Sequence, residues 1–243
     1  MKTLILTTAL VALTAGAALA QEVVRIGTEG AYEPYNFIDQ ATGELTGFEI
    51  ELGNELCSRA GLTCEFVQNA WDSIIPNLQS GNYDMIMAGM SITPEREQVI
   101  TFTQNYVPPA SSVYVGLSAD ANIGEGGVVA AQTGTIQAGF VAESGATLLE
   151  FATPDETVAA VRNGEADAVF ADGEYLLPIV EGSGGELAQV GEPVQLGGGV
   201  GIGLRDSDEE LKAKMDAAIT AMKEDGSLNA MLEKWFGANV TRF

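Results

Sequence analysis

The chain of 243 residues contains no histidine and only two cysteines. No imidazole-based metal centre or imidazole-activated nucleophile can be built from it, and two thiolates alone do not close a zinc shell. Basic residues are also scarce: 11 lysines and arginines face 34 aspartates and glutamates, a formal net charge of -23. Such a surface repels phosphates, which argues against nucleic acid and anionic lipid as partners. It suits solubility in a salty medium, and it also draws cationic ligands toward the protein. Glycines 197, 198, 199, 201 and 203 do not fit G-x-G-x-x-G, and Gln132-Thr-Gly-Thr-Ile-Gln137 lacks the Gly-Lys-Ser/Thr ending of a phosphate loop. No dinucleotide, metal or other cofactor is implied. Beyond the first twenty residues, nothing is long and apolar enough to span a bilayer.

What is present begins with a leader. Lys2 precedes an almost wholly apolar or small stretch over 4–19, and Ala18-Leu19-Ala20 is a small-x-small cleavage site. This is the three-part layout of a secretory signal peptide over residues 1–20. The mature product, from Gln21, is then exported, and Cys57 and Cys64 meet an oxidising compartment. They are expected to pair, with a loop-entropy gain of about 2.5 kcal/mol.

About 220 residues remain, enough for one large or two small domains. Short apolar runs alternate with helical stretches, which predicts an α/β fold with largely parallel sheets. Strands are expected at Val23–Thr28, Cys64–Gln68 and Asp84–Ala88. Helices are expected at Gly47–Ala60 and Trp71–Gln79, the latter interrupted early by Pro76. On the first helix Phe48, Leu52 and Leu56 share a face, with Glu49, Glu51 and Glu55 largely away from it. The pattern restarts with strand Val128–Gln132, helix Thr135–Glu143, strand Leu148–Phe151, helix Pro154–Asn163, strand Ala168–Ala171 and helix Asp172–Val180. Proline-bearing Tyr106–Tyr114 and glycine-rich Pro193–Gly201 read as two connections. Strand Gly201–Leu204 and two amphipathic helices follow. Two connections imply an inserted unit: lobe one over 21–107 and 200–243, lobe two over 108–199 with flanking hinge strands. A cleft between the lobes would receive the carboxyl ends of the strands.

Candidate site residues stand at those ends. Glu29 and Tyr32 follow the first strand; Glu29 is either a partner for a ligand cation or a solvated loop charge. Trp71 is either core or a stacking platform. Arg96 opens a helix expected at Thr93-Pro94, with Thr93 as its cap. It is either a surface charge or the planar fork that grips a carboxylate. Thr135 opens a helix whose backbone donors suit an anion. Asp172 either caps a helix or takes an ammonium. Arg96 and Thr135 for a carboxylate, Asp172 for an ammonium and Glu29 for a distal polar group together outline an amino acid.

Over its whole mature length the sequence resembles the family-3 periplasmic solute-binding proteins for polar amino acids. The resemblance is strongest to the lysine/arginine/ornithine-, histidine- and opine-binding branch. It is carried by Gly47-Phe-Glu-Ile-Glu-Leu52, Trp71-Asp-Ser-Ile-Ile-Pro76, Ser91-Ile-Thr-Pro-Glu-Arg96, Gly201-Ile-Gly-Leu-Arg205, Lys234-Trp-Phe236 and the cysteine spacing. It implies a type II two-lobed fold and a monomeric, non-enzymatic periplasmic receptor that delivers a cationic amino acid to the membrane permease of an ABC importer. It also implies roles. Arg96, Ser91 and Thr135 hold the α-carboxylate; Asp172 and a carbonyl near Ala88 take the ammonium. Tyr32 and Trp71 sandwich the side chain, and Glu29 meets its distal cation. The sequence departs from the pattern at Ala88 and Gly89, where serines are common, and at Gly134. Gly89 is expected to make room, which keeps a bulkier ligand such as an opine open, and glutamine is a further alternative. An arogenate-type dehydratase on the same scaffold is the rival from another class, with Glu29 as its acid. A sensory ectodomain is a further one, and would need a membrane span.

Overall fold

The computed structural model describes residues 23–243; the expected leader and its cleavage site lie outside them. Strand β1 (Val23–Thr28) leads into a three-stranded hairpin sheet of β2 (Ala31–Tyr32), β3 (Asn36–Ile38) and β4 (Leu45–Thr46). Then come α1 (Phe48–Arg59), β5 (Thr63–Gln68), a 3-10 turn at Trp71–Ser73, α2 (Ile74–Gln79), β6 (Met85–Ile86) and β7 (Thr101–Phe102). The second unit runs through β8 (Ser111–Gly116), β9 (Val128–Gln132), α3 (Ile136–Ser144), β10 (Thr147–Phe151), α4 (Pro154–Arg162), β11 (Ala168–Asp172), α5 (Gly173–Gly182) and β12 (Ala188–Gln195). Strand β13 (Gly203–Leu204), α6 (Glu209–Glu224) and α7 (Ser227–Phe236) follow.

Two five-stranded sheets result, ordered β5-β1-β6-β13-β7 and β10-β9-β11-β8-β12. In each, three neighbouring strands pair in parallel, as strand-helix-strand alternation requires, and the other two join through antiparallel pairings, with a single strand (β13 in the first, β8 in the second) running against the other four. The expected strand at Gly201–Leu204 is β13; β7, β8 and β12 are the strands of these sheets that the sequence pattern hid. Half of the expected connection at 106–114 is the interior strand β8, buried along nearly its whole length, so it shows no alternation. Strand β12 carries Pro193 and a register shift between Val190 and Val194, features tolerated because it is an edge strand.

The chain passes between the sheets at 103–110 and again at 196–202. These passages bond to one another: Tyr106 donates its backbone N–H to Val200 (2.8 Å), and Val200 donates to Val107 (3.0 Å).

Local chemistry explains the helices. Gly47 stands before α1 at φ +127°, where a Cβ would lie 2.4 Å from the Tyr35 carbonyl oxygen, so only glycine fits. Phe48, Leu52 and Leu56 then bury completely. Glu49, expected on the outer face, is fully buried as well. It lies in the first turn, where polar loop groups rather than solvent meet it. Pro76 does not interrupt its helix; it falls in the first turn of α2, where its missing N–H costs nothing. Thr153 and Glu156 close a capping box on α4, with Pro154 at its first position. The helix expected at Thr93-Pro94 is only a 3-10 turn at Arg96–Gln98, because β7 begins three residues later.

Cys57 and Cys64 form a disulfide from the last turn of α1 to β5. Removing it with Cys57→Ser and Cys64→Ser should cost about 2.5 kcal/mol. That corresponds to a fall of about 5–10 °C in Tm; an unchanged Tm, read by calorimetry, would mean that the tie does not restrict the unfolded chain.

Candidate functional site

The carboxyl ends of strands from both sheets meet at one cleft of about 480 Å³, its open mouth included. Glu29 follows β1, Ala88 and Gly89 follow β6, and Trp71 opens the turn after β5. From the other sheet come Gln132 at the end of β9, Asp172 at the end of β11, and Thr135 before α3. All nine candidate residues (Glu29, Tyr32, Trp71, Ala88, Gly89, Ser91, Arg96, Thr135 and Asp172) line this cleft. The sequence reading missed the side chains of Gln132 and Gln137, which line it too. It also missed Ser112, which bonds to the cleft wall.

Arg96 is half-buried and has no ion pair among the described residues. Its guanidinium donates to the Ser91 carbonyl (2.9 Å) and, at the limit of bonding, to the Gly134 carbonyl (3.5 Å) across the cleft. Its Cζ lies 5.2 Å from the Trp71 ring centroid, a cation–π contact. Burial lowers its pKa to about 10 against the pull of Asp172 and Glu95, so it stays charged at neutral pH. Gly134, at φ +72°, would point a Cβ to within 3.8 Å of the Trp71 indole nitrogen; its lack of a side chain lets the two walls approach.

Asp172 sits at the N-cap position of α5 yet makes no capping bond. Its carboxylate instead accepts from the Tyr32 hydroxyl (2.7 Å), Gln137 Nε2 (2.8 Å) and the Ser112 hydroxyl (3.5 Å). Burial raises its pKa, while these bonds and the more distant Arg96 lower it. It has no ion pair among the described residues either.

Glu29 is 7% exposed. Its Oε1 accepts from Gln132 Nε2 (2.7 Å), which also donates to the Ala152 carbonyl (3.0 Å). Burial pushes the Glu29 carboxyl up to about 7; the Gln132 bond opposes this, and repulsion from Asp155 and Asp72 adds to it.

Tyr32 brings its hydroxyl to Asp172, but its ring stacks on Tyr175 (4.6 Å between centroids) and Tyr35 (5.7 Å). The space expected beside Gly89 is filled: a Cβ there would lie 3.2 Å from the Tyr32 ring, at φ +62°. Thr135 caps α3, accepting from the Ala138 N–H (3.1 Å) and donating its hydroxyl to the Gln132 carbonyl (2.7 Å). That leaves the N–H groups of Ile136 and Gln137, which have no intrahelical acceptor, at the cleft end of the helix.

The cleft therefore presents a cation on one wall and a carboxylate on the other, with no ion pair between them, and a second carboxylate farther along. The sequence model of the bacterial extracellular solute-binding proteins, family 3, matches residues 24–238. The chain belongs to that family. It is 32% identical over 241 residues to a putative ABC transporter arginine-binding protein 2 of Escherichia coli K12, covering 96% of this chain and 98% of that one. It is likewise 32% identical to an octopine-binding periplasmic protein of Rhizobium meliloti, with 94% and 95% covered. Among solved structures it is similar to a periplasmic His/Glu/Gln/Arg/opine family-binding protein from Silicibacter pomeroyi in complex with lysine. The two share 70% identity and a TM-score of 0.88, covering 90% of this chain and all of the other. The type II two-lobed fold expected from the sequence is thus the fold of this family member.

The raised pKa of Glu29 sets a sign. Below about 4.5 the carboxyl is protonated folded and unfolded, and costs nothing. As pH rises to about 7 the unfolded chain releases its proton first, so stability falls, by an amount on the order of 3 kcal/mol. Glu29→Gln should therefore melt several degrees above wild type at pH 8, with the gap closing by pH 4.5. A gap independent of pH would show that the carboxyl is not held above its ordinary range.

Proposed function

We propose that this family member is a periplasmic receptor for an amino acid with a cationic side chain, and that it delivers its ligand to the permease of an ABC importer. The observation that carries the reading is the Arg96–Asp172 arrangement: two opposite charges on facing walls, each without an ion partner among the described residues. A free amino acid offers both missing partners at once, its α-carboxylate to Arg96 and its α-ammonium to Asp172. Ser91 and the start of α3 at Thr135 support the carboxylate, the latter through helix N-terminal donors. The carbonyl of Ala88 supports the ammonium. Trp71 and Tyr32 enclose the side chain, and Glu29 meets its distal cation, which would restore that carboxyl to its charged form. Relatives and a neighbouring structure that are named for arginine, octopine and lysine support this ligand class.

The passages at 103–110 and 196–202 would be the hinge between lobes at 21–107 plus 200–243 and at 108–199. Closure brings Tyr32 to Asp172 and Glu29 to Gln132, so the residues that grip ligand also latch the lobes. A ligand that adds contacts to both walls shifts the protein toward closure, and the permease reads that shift. The leader directs export and is removed after Ala20. The protein works as a monomer and turns nothing over.

One observation favours a second reading. A carboxyl held at about 7 is suited to general-acid work, which would fit a dehydratase of cyclohexadienyl acids. The readings separate on incubation with arogenate or prephenate: a receptor leaves product absorbance flat.

Calorimetric titration with arginine, lysine, ornithine, histidine, glutamine and octopine tests the receptor. Arginine or lysine should bind most tightly. Arg96→Ala and Asp172→Asn should each weaken binding about 100-fold, as expected when one partner of a buried charge pair is lost. Glu29→Gln should weaken cationic ligands and spare glutamine. Binding of none of the six, or turnover of either acid, would overturn the receptor reading.

A further inference from the structure

Glu49 is a fully buried carboxylate that lies outside the cleft lining and has no ion pair among the described residues. Its Oε1 accepts from the backbone N–H of Gly89 (2.8 Å) and from the Tyr106 hydroxyl. Its Oε2 accepts from Asn36 Nδ2 (2.7 Å), and Asn36 Oδ1 in turn accepts from the backbone N–H of Gly30 (2.7 Å). Each end of this chain is informative. Gly30 follows Glu29, and Gly89 follows Ala88, so both bonded amides belong to loops that line the cleft. Tyr106 belongs to the first passage between the sheets and bonds to Val200 of the second. One side chain thus ties two cleft loops to the crossing strands.

The chemistry requires a carboxylate. An apolar residue would pack at lower desolvation cost, but it would leave the Gly89 N–H, the Tyr106 O–H and the Asn36 amide without acceptors. A glutamine would turn an NH2 either toward Gly89 and Tyr106 or toward Asn36. Flipping Asn36 to accept that NH2 would leave the Gly30 N–H facing a donor. Only a group with two accepting oxygens satisfies every donor at once. The start of α1, where Glu49 lies in the first turn, favours its negative charge.

We propose that Glu49 is a positioning residue for ligand binding, holding the Gly30 and Gly89 loops in fixed relation to the crossing strands so that site shape and lobe closure are set together. This rests on the receptor reading above. It explains a buried charge that touches no ligand, and it goes beyond the residues that line the cleft.

The test compares wild type, Glu49→Gln and Tyr106→Phe, titrated with arginine and with lysine well below each variant's Tm. Hydrogen exchange of the Gly30 and Gly89 amides is measured alongside by NMR on the ligand-free proteins. Glu49→Gln should bind at least tenfold more weakly, since hydrogen bonds to a charged acceptor are lost. Its Gly30 and Gly89 amides should exchange at least tenfold faster. Tyr106→Phe, which removes one donor and keeps the ring, should bind several-fold more weakly. A folded Glu49→Gln with a lowered Tm but affinity within twofold of wild type would make Glu49 merely structural and overturn the proposal. Should Glu49→Gln not fold, Tyr106→Phe decides: affinity within twofold of wild type overturns it. If wild type itself binds none of the six ligands named above, the receptor reading falls, while unchanged exchange at Gly30 and Gly89 would separately sink the role of Glu49.

Discussion

The cleft depends on charges brought out of water without an opposite charge to meet them. In water a carboxylate or guanidinium is stabilised by solvent; at a protein wall that stabilisation has to be replaced. Here neutral donors and acceptors replace it in part. Gln137, Ser112 and Tyr32 serve Asp172; Gln132 serves Glu29; two carbonyls and an indole face serve Arg96. Dipoles hold a charge in place without cancelling it. The fold keeps the two opposite charges apart by placing Arg96 in the 3-10 turn before β7 of one sheet and Asp172 at the end of β11 in the other, so they form no ion pair. In a chain with three acidic residues for each basic one, an arginine kept from every carboxylate is the exception that marks the site.

On the proposed receptor reading, that separation lets closure and recognition share atoms. The hydroxyl of Tyr32 and the amide of Gln132 each cross the cleft to a carboxylate. The Tyr32 bond is neutral-to-charged, stronger than a neutral pair yet weaker than a full ion pair, and the Gln132 bond joins it whenever Glu29 is ionised. A latch of that strength lets a ligand add to closure, where a direct Arg96–Asp172 bridge would compete with the ligand for both of its handles.

Much of this is legible in the sequence, and for a physical reason. Glu29, Arg96 and Asp172 are charged and stand where apolar runs end, so pattern alone put them at the mouth of an α/β sheet. Gln132, Gln137 and Ser112 do the same work but carry no charge, and a neutral amide at a strand end looks like any surface residue. Strand β8 gave no alternation because it is buried on both faces, and β12 was masked by Pro193 and its irregular register. The hairpin sheet of β2, β3 and β4 has strands of two or three residues, too short to show a period. Gly89 shows a different limit. Comparison with the family pattern suggested added room, whereas the Tyr32 ring occupies the space a side chain would have used.

Glu49 marks the deeper limit. Helical periodicity sorts residues by the face they present along the body of a helix, and on that basis Glu49 belonged outside with Glu51 and Glu55. The first turn escapes this rule, because its surroundings are set by the chain that leads into it. Here that chain is bent by Gly47 against the Tyr35 carbonyl, and Tyr35 also accepts the Glu49 backbone N–H (2.8 Å). The bend aims a carboxylate at the underside of the cleft loops. A glycine whose absent Cβ permits one close backbone approach thereby fixes where a buried charge lies, and that charge fixes two of the loops from which the cleft is built.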